Sequence, residues 1–203
     1  MSCAIAWLDG GSTRACQPGD PNGDRADAAQ LVAHLEQRLD TKALVNQTVT
    51  RQAFTAAIAR QDFIHFQGHA VHEPKDPLAS YLALADTRLT AREVFALPEL
   101  QADLVALTAC ESAANVIATG DEPLGLIPAF LYAGTNSVLA TLWKVQQKAA
   151  ALTMQLFYDK LLDSQNTVHK AEALRQAMLT VGNTPGLESP YYWAPFVLNG
   201  DWY

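Results

Sequence analysis

The sequence has few cysteines, no long hydrophobic run and a shortage of basic residues, and each of these features excludes a class of protein. The cysteines are Cys3, Cys16 and Cys110, an odd number without metal-ligand spacing, so we expect neither a disulfide scaffold nor a zinc finger. Such a set is typical of a reduced, cytoplasmic protein. No apolar run reaches the ~18 residues of a membrane-spanning helix, and the amino terminus does not resemble a signal peptide.

Charge and motif content narrow the possible ligands. Lysine and arginine total 14 residues against 21 for aspartate and glutamate, which gives a formal net charge of −7. A negative surface disfavours nucleic acid and anionic membranes as partners and mildly favours basic ones. The GxGxxG and GK[ST] motifs of nucleotide-binding loops are also missing. We therefore expect no cofactor, no nucleic-acid partner and no membrane attachment.

The pattern of apolar residues that is present predicts an α/β domain. A chain of 203 residues with 49% hydrophobic and 17% charged residues is typical of one globular domain, so residues 1–203 are expected to form one domain, with a first strand and a flexible loop in residues 1–26. Buried-strand patterns at 63–67, 103–109 and 137–143 alternate with helical periodicity, which favours a mainly parallel sheet. A last strand follows two helices, and its direction stays open between parallel and antiparallel.

Local signals predict further elements. A helix is expected from Asp27 and a strand over 43–49. Thr90 followed by Glu93 has the spacing of a capping box, which predicts a helix start. Pro128 lies inside an apolar segment that ends before a glycine, so we expect that helix to start late or to bend.

Two of the predicted strands lead to residues that can do chemistry. The stretch FIHFQGHA leads to His69, and LVALTACES leads to Cys110. Because ligands of open parallel sheets bind at the carboxyl ends of the strands, both residues are expected at one edge. If the strands are neighbours, the imidazole can activate the thiol and later protonate a leaving group, while backbone N–H groups stabilise the oxyanion. The pattern indicates cysteine nucleophilic catalysis.

Other interpretations of these residues stay open. A cysteine after an apolar strand is commonly a core residue. His65, His69 and His72 could bind zinc together with Cys110, although the spacing matches no metal-ligand signature and we expect no metal. We expect His65 to be a structural residue with a neutral, buried imidazole.

Several stretches, in order, resemble the CHAT domain, a caspase-like group of clan CD cysteine peptidases related to separase. They include FIHFQGHA, ADLVALTACESA, PLGLIPAFLYAGTNSVLATLWKV and YYWAPFVLNGD, and the resemblance extends from Asp27 to Tyr203. It implies a three-layer caspase-like α/β fold with helices on both faces of a mainly parallel sheet. It also implies that His69 and Cys110 are the catalytic pair and that the backbone N–H groups of Ala70 and Cys110 form the oxyanion hole.

The chain departs from this family pattern in places that bear on the substrate. Ala70 stands where a glycine often follows the histidine. Separase-like relatives carry acids in and after the LWxVxD segment that help to recognise arginine, whereas no acid occurs here from Lys144 through Leu156. We therefore expect an uncharged or mixed residue before the scissile bond rather than strictly arginine. The candidates for substrate contact are Trp143, Gln147, Glu111, Asp121 and Glu122, and Trp143 could equally be a core residue.

The resemblance implies a cysteine endopeptidase that performs limited proteolysis of a specific protein partner, as a regulated effector in bacterial defence or signalling. Retention of both His69 and Cys110 favours this function. The alternative is a caspase-fold scaffold or pseudo-enzyme that acts through protein–protein interaction, which the altered substrate segment keeps open. No sensor domain is recognisable beside the predicted domain, so a regulatory partner is expected on another domain or subunit.

Overall fold

A computed structural model describes residues 3–7, 21–110 and 125–203. In chain order the elements are β1 (Cys3–Trp7), α1 (Pro21–Leu39), β2 (Leu44–Val45), α2 (Arg51–Ile58), β3 (Phe63–Val71), β4 (Tyr81–Ala83), β5 (Arg88–Thr90), α3 (Ala91–Phe95), β6 (Leu104–Cys110), α4 (Leu126–Tyr132), β7 (Ser137–Thr141), α5 (Gln147–Leu161), α6 (Lys170–Gly182), α7 (Pro190–Trp193) and β8 (Phe196–Gly200). Strands alternate with helices along most of the chain, as the apolar pattern predicts.

The strands of the described residues form one sheet whose main path runs β2-β1-β3-β6-β7-β8. The pairs along this path are parallel up to β7, and β8 is antiparallel to β7. The direction of the last strand is therefore antiparallel, and the prediction of a mainly parallel sheet is confirmed. A short antiparallel hairpin of β4 and β5 joins the sheet at the end of β3.

Helices cover both faces of the sheet because side chains along each buried strand alternate between them. In β3, Ile64 and Phe66 belong to a core that includes Phe54 of α2 and Phe130 of α4. Residues of α1, α5 and α6 pack on the opposite face, in a second core that includes Phe63. This three-layer α/β arrangement confirms the predicted fold class.

The helix start signals agree with the structure in two places and fail in one. Thr90 and Glu93 form the predicted capping box at the start of α3. The helix around Pro128 starts late, at Leu126, so that the proline lies in its first turn. By contrast, α1 begins at Pro21 rather than Asp27, so the predicted flexible loop is wrong for residues 21–26. Proline is well tolerated at a helix start, because its missing N–H would have no helical partner there.

Short strands were the least predictable elements. The strand expected over 43–49 is limited to Leu44–Val45, because Asn46 has a positive φ of 49° and begins a short 3-10 turn. The three residues of β5 were not predicted at all, since a segment of that length carries no measurable alternation. The strand predicted over 63–67 is longer than expected, because β3 continues to Val71.

Candidate active site

The two residues singled out for catalysis lie side by side in the sheet. β3 and β6 are adjacent and parallel, and their register pairs His69 with Cys110. His69 is inside β3 rather than after it, and Cys110 is the last residue of β6. The condition that the two strands be neighbours is therefore met. The side chain of Cys110 lies outside the described part of the structure.

The environment of His69 disfavours a positive charge on its ring. The residue is half-buried, and burial lowers the pKa of its imidazole below the ordinary value; the positive charge of Lys144 lowers it further. Lys144 itself is exposed. It comes three residues after the end of β7, the strand beside β6. A neutral imidazole is the form that can accept a proton from a thiol.

A hydrogen-bonded histidine lies deeper under the same face of β3. His65 is fully buried, with Nδ1 at 3.3 Å from the Tyr158 hydroxyl and Nε2 at 3.2 Å from Thr108 Oγ1. Burial lowers the pKa of His65 to about 4, so the ring is neutral near pH 7. These contacts join α5 to β3 and β6. The buried, neutral imidazole agrees with the predicted structural role of His65.

Gln67 lies between these two histidines in sequence and was not singled out from the sequence. Its side chain is 3% exposed, and its Oε1 has no hydrogen-bond partner among the described residues. The register places it opposite Thr108, two positions before Cys110. Because side chains two apart in a strand share a face, the sequence places Gln67 on the same face as His65 and His69. This alternation could have marked Gln67 as a candidate site residue.

The segment after β7 carries the predicted substrate contacts Trp143 and Gln147. Trp143 is half-buried, and its Nε1 donates a hydrogen bond to the carbonyl oxygen of Tyr191 at 3.0 Å, so it is not a fully buried core residue. Gln147 is the first residue of α5, and its Nε2 is buried without an acceptor among the described residues. Both therefore lie near the carboxyl end of β7.

The remaining predicted residues are only partly placed. Ala70 lies within β3 and pairs with Leu82 of β4. Glu111, Asp121 and Glu122 lie outside the described residues. No three described histidine, cysteine, aspartate or glutamate side chains cluster as metal ligands do. His72 has its Nδ1 at 3.2 Å from Ser80 Oγ.

Comparison with known proteins identifies the family. The model of the CHAT domain matches residues 12–201. The chain belongs to the CHAT domain family. Tetratricopeptide repeat protein 28 of Homo sapiens is 35% identical over 117 residues, which cover 58% of this CHAT domain and 4% of that protein. Its counterpart in Mus musculus is 34% identical over 117 residues, with 5% of that protein covered. The chain thus spans a small fraction of the curated relatives it matches.

Solved structures of other proteins share the fold of the CHAT domain. Separase in the Saccharomyces cerevisiae separase–securin complex superposes with a TM-score of 0.68 at 15% identity, covering 98% of this chain and 12% of that chain. The Arg-specific cysteine proteinase gingipain R gives a TM-score of 0.68 at 14% identity, with 98% and 45% coverage. At such identities the similarity establishes the fold.

Membrane insertion by a helix finds no support in the described residues. None of the helices within 3–7, 21–110 and 125–203 is both long enough and apolar enough to cross a bilayer.

Proposed function

We propose that this CHAT domain is a cysteine endopeptidase in which Cys110 is the nucleophile and His69 the general acid and base. The observation that carries the proposal is the register of the sheet, which pairs the two residues across adjacent parallel strands. Paired positions in neighbouring strands lie about 5 Å apart, within reach of a side-chain contact between a thiol and an imidazole. Membership of the CHAT family supports the same assignment.

The reaction needs no cofactor or metal in this proposal. His69 accepts the thiol proton as the sulfur of Cys110 attacks the scissile carbonyl carbon and forms a C–S bond. The tetrahedral intermediate collapses, the C–N bond breaks, and His69 donates the proton to the leaving amine. Water then attacks the thioester with His69 as base, which releases the acid and restores the thiol. The backbone N–H groups of Ala70 and Cys110 are our candidates for the oxyanion hole.

The lowered pKa of His69 supports a regulated enzyme. A thiolate–imidazolium pair forms readily only when the imidazole holds a proton well. Burial and the charge of Lys144 both oppose that proton, so the resting pair is biased toward neutral thiol and neutral imidazole. We propose that a regulatory domain or subunit, or the substrate itself, removes this bias. We also propose that residues 1–203 form one domain and that the protein acts in the cytoplasm.

A specific protein is the proposed substrate. The structural relative separase was crystallised with the protein securin, and a protein substrate or regulator is the corresponding partner here. Trp143 and Gln147 at the end of β7, with Glu111, Asp121 and Glu122, are the candidate substrate contacts. Gingipain R is described as Arg-specific, but the segment from Lys144 through Leu156 has no acid to bind an arginine.

Single substitutions test the catalytic pair. Cys110→Ala and His69→Ala should each lower peptide cleavage by at least about 10³-fold, because the two residues act as a unit. His65→Gln is the matched control, since it removes a histidine from the same strand without touching the pair, and cleavage per folded molecule should stay within a few-fold of the wild type. Near-full cleavage by His69→Ala would contradict the dyad.

A scaffold without turnover is the second candidate. It is favoured by the match to human tetratricopeptide repeat protein 28, which is named for a repeat. A scaffold predicts that Cys110 reacts with electrophiles no faster than an ordinary thiol, whose pKa is about 8.5. A peptidase predicts labelling well below that pH and dependence of the labelling on His69.

A further inference from the structure

The segment between β7 and α5 gives the edge of the candidate site a positive character. β7 lies beside β6 with Leu107 opposite Ala140. Cys110 follows Leu107 by three residues and Lys144 follows Ala140 by four, so both come from the same end of neighbouring strands. A substrate side chain held next to Cys110 therefore meets the segment that contains Lys144.

Lys144 is a cation whose charge is uncommitted among the described residues. It is exposed, and no described carboxylate lies within ion-pair distance of its ammonium. Its charge acts on the imidazole of His69, where it adds to burial in lowering the pKa. The ammonium is therefore close enough to the site to influence its electrostatics.

A buried hydrogen-bond donor lies three residues further on. The Nε2 group of Gln147 is buried and has no acceptor among the described residues. A buried donor without a partner is costly, so a side-chain rotation that brings the amide to a substrate oxygen would be stabilising. The first turn of α5 holds no acidic residue that could supply that oxygen.

We propose that this CHAT domain cleaves after an aspartate or glutamate, whose carboxylate is bound by the Lys144 ammonium and the Gln147 amide. The inference rests on the proposed peptidase function and names its substrate class. It revises the expectation of an uncharged residue, because an unpaired cation and a donor group, with no acid in the described segment from Lys144 to Leu156, favour an anion rather than merely rejecting arginine.

Binding of such a substrate would also affect catalysis. A carboxylate beside Lys144 offsets the charge that lowers the His69 pKa, so the imidazole holds a proton more readily in the complex. Transfer of the thiol proton from Cys110 to His69 then becomes easier. An acidic substrate is thereby both selected and made to assist its own cleavage.

Matched peptide probes test this specificity. Four probes with one electrophilic warhead and one sequence would carry Asp, Asn, Leu or Arg next to the reactive carbon, and covalent labelling of Cys110 would be timed by intact mass and peptide mapping. We expect Asp to label several-fold faster than its isostere Asn, since exposed ion pairs contribute up to about fivefold, and Arg to be slowest. Lys144→Met should abolish the Asp advantage, and Lys144→Glu should reverse the order of Asp and Arg.

Lys148→Glu is the control, because Lys148 is an exposed lysine four residues further on, in the first turn of α5, and the substitution makes the same charge change. It should leave the order of the probes unchanged. Equal rates for Asp and Asn in the wild type, or an order that Lys144→Glu does not alter, would overturn the inference.

An equilibrium measurement separates this inference from the peptidase assignment. Peptides with Asp or Asn would be bound to Cys110→Ala protein, which needs no turnover, and the Asp preference should disappear in Cys110→Ala with Lys144→Met. An Asp preference without any labelling of Cys110 would refute the peptidase function but retain the carboxylate site. Labelling that depends on His69 but lacks an Asp preference would retain the peptidase and refute the site.

Discussion

Lys170 donates a 2.8 Å hydrogen bond from its Nζ to Oδ1 of Asp103, and the lysine side chain is only 2% exposed. Asp103 directly precedes β6, so this ion pair lies at the opposite end of that strand from Cys110. The same carboxylate accepts a hydrogen bond from Asn136 at 3.0 Å. The pair connects the start of α6 to the start of β6, far from the candidate catalytic residues.

Removing the carboxylate should destabilise the protein without affecting the chemistry. Asp103→Ala leaves a buried ammonium uncompensated, and we expect the free energy of unfolding to fall by about 2–3 kcal/mol. This loss is smaller than the about 3–5 kcal/mol of a fully buried pair, because Asp103 is half-exposed. Denaturant unfolding measures this. Combining Asp103→Ala with Lys170→Met should recover most of the loss. The exposed pair of Lys42 and Glu36 is the control, and Lys42→Met should change stability by less than about 1 kcal/mol.

The buried His65 should make stability depend on pH. Its pKa is about 4 in the folded protein against the ordinary histidine value of 6.5, so the unfolded chain binds more protons between these values. Stability from this group is fully present above pH 6.5 and is lost as the pH falls toward 4, by up to about 3 kcal/mol. His65→Gln should be less stable at pH 7, and the difference between the two proteins should shrink on acidification. A difference that grows toward low pH would contradict a neutral His65.

Gly134 should not tolerate a side chain. It follows α4 with φ of 107°, and an added Cβ would lie 2.6 Å from the Leu100 carbonyl oxygen. Gly134→Ala should therefore lose about 1–2 kcal/mol for the positive φ and more for the clash. Gly186 separates the two costs, because its φ is 86° but nothing lies within 4 Å of the added Cβ. Equal losses of unfolding free energy for Gly134→Ala and Gly186→Ala would mean that the backbone around Leu100 moves away from the added Cβ at no cost.

Cys3 should be inert in the folded protein. Burial, with a smaller contribution from Asp62, raises the pKa of its thiol to about 12. In a Cys16→Ser background, iodoacetamide at pH 7.5 should therefore modify Cys110 and leave Cys3 unmodified until denaturant is added. Peptide mapping measures both sites in one sample. Modification of Cys3 at the rate of a free thiol under native conditions would show that β1 opens readily.

Lys144 should shift the acid limb of the pH–rate profile. Its positive charge is the second cause of the lowered His69 pKa, so Lys144→Met should raise that pKa and move the acid limb of kcat/KM to higher pH. Lys148→Met carries the same change of charge and should leave the limb in place. A probe without an acidic residue is used, so that the shift reports on His69 alone.

The elements that could be predicted from the sequence are those whose cause is local. The capping box of Thr90 and Glu93 involves residues three apart, and the strand that carries His69 shows its alternation within one segment. The short β2 depended on the backbone of Asn46, and the three residues of β5 depended on pairing with β4. Neither property is visible in hydrophobic periodicity.

The site follows the same division. The placement of His69 near the carboxyl end of one buried strand and of Cys110 at the end of another was predictable, but their pairing required the strand order. Lys144 was noted only as a residue that is not an acid, because its effect on His69 comes from an interaction across the sheet. The contact of His65 with Tyr158 joins residues 93 apart in the chain, and no sequence pattern encodes it.

β3 changes its pairing partner beside the candidate site. Up to His69 it pairs with β6, and from Ala70 it pairs with β4 of the hairpin. His69 is therefore bonded directly to a residue that pairs with the hairpin. The hairpin itself is held to another part of the chain by the hydrogen bond from the Ala85 N–H to the Val49 carbonyl oxygen, and the helix that follows it is held by the ion pair of Arg51 with Glu93. A movement of the hairpin strands would therefore displace His69 directly, and it would displace Cys110 only through the pairing of β3 with β6.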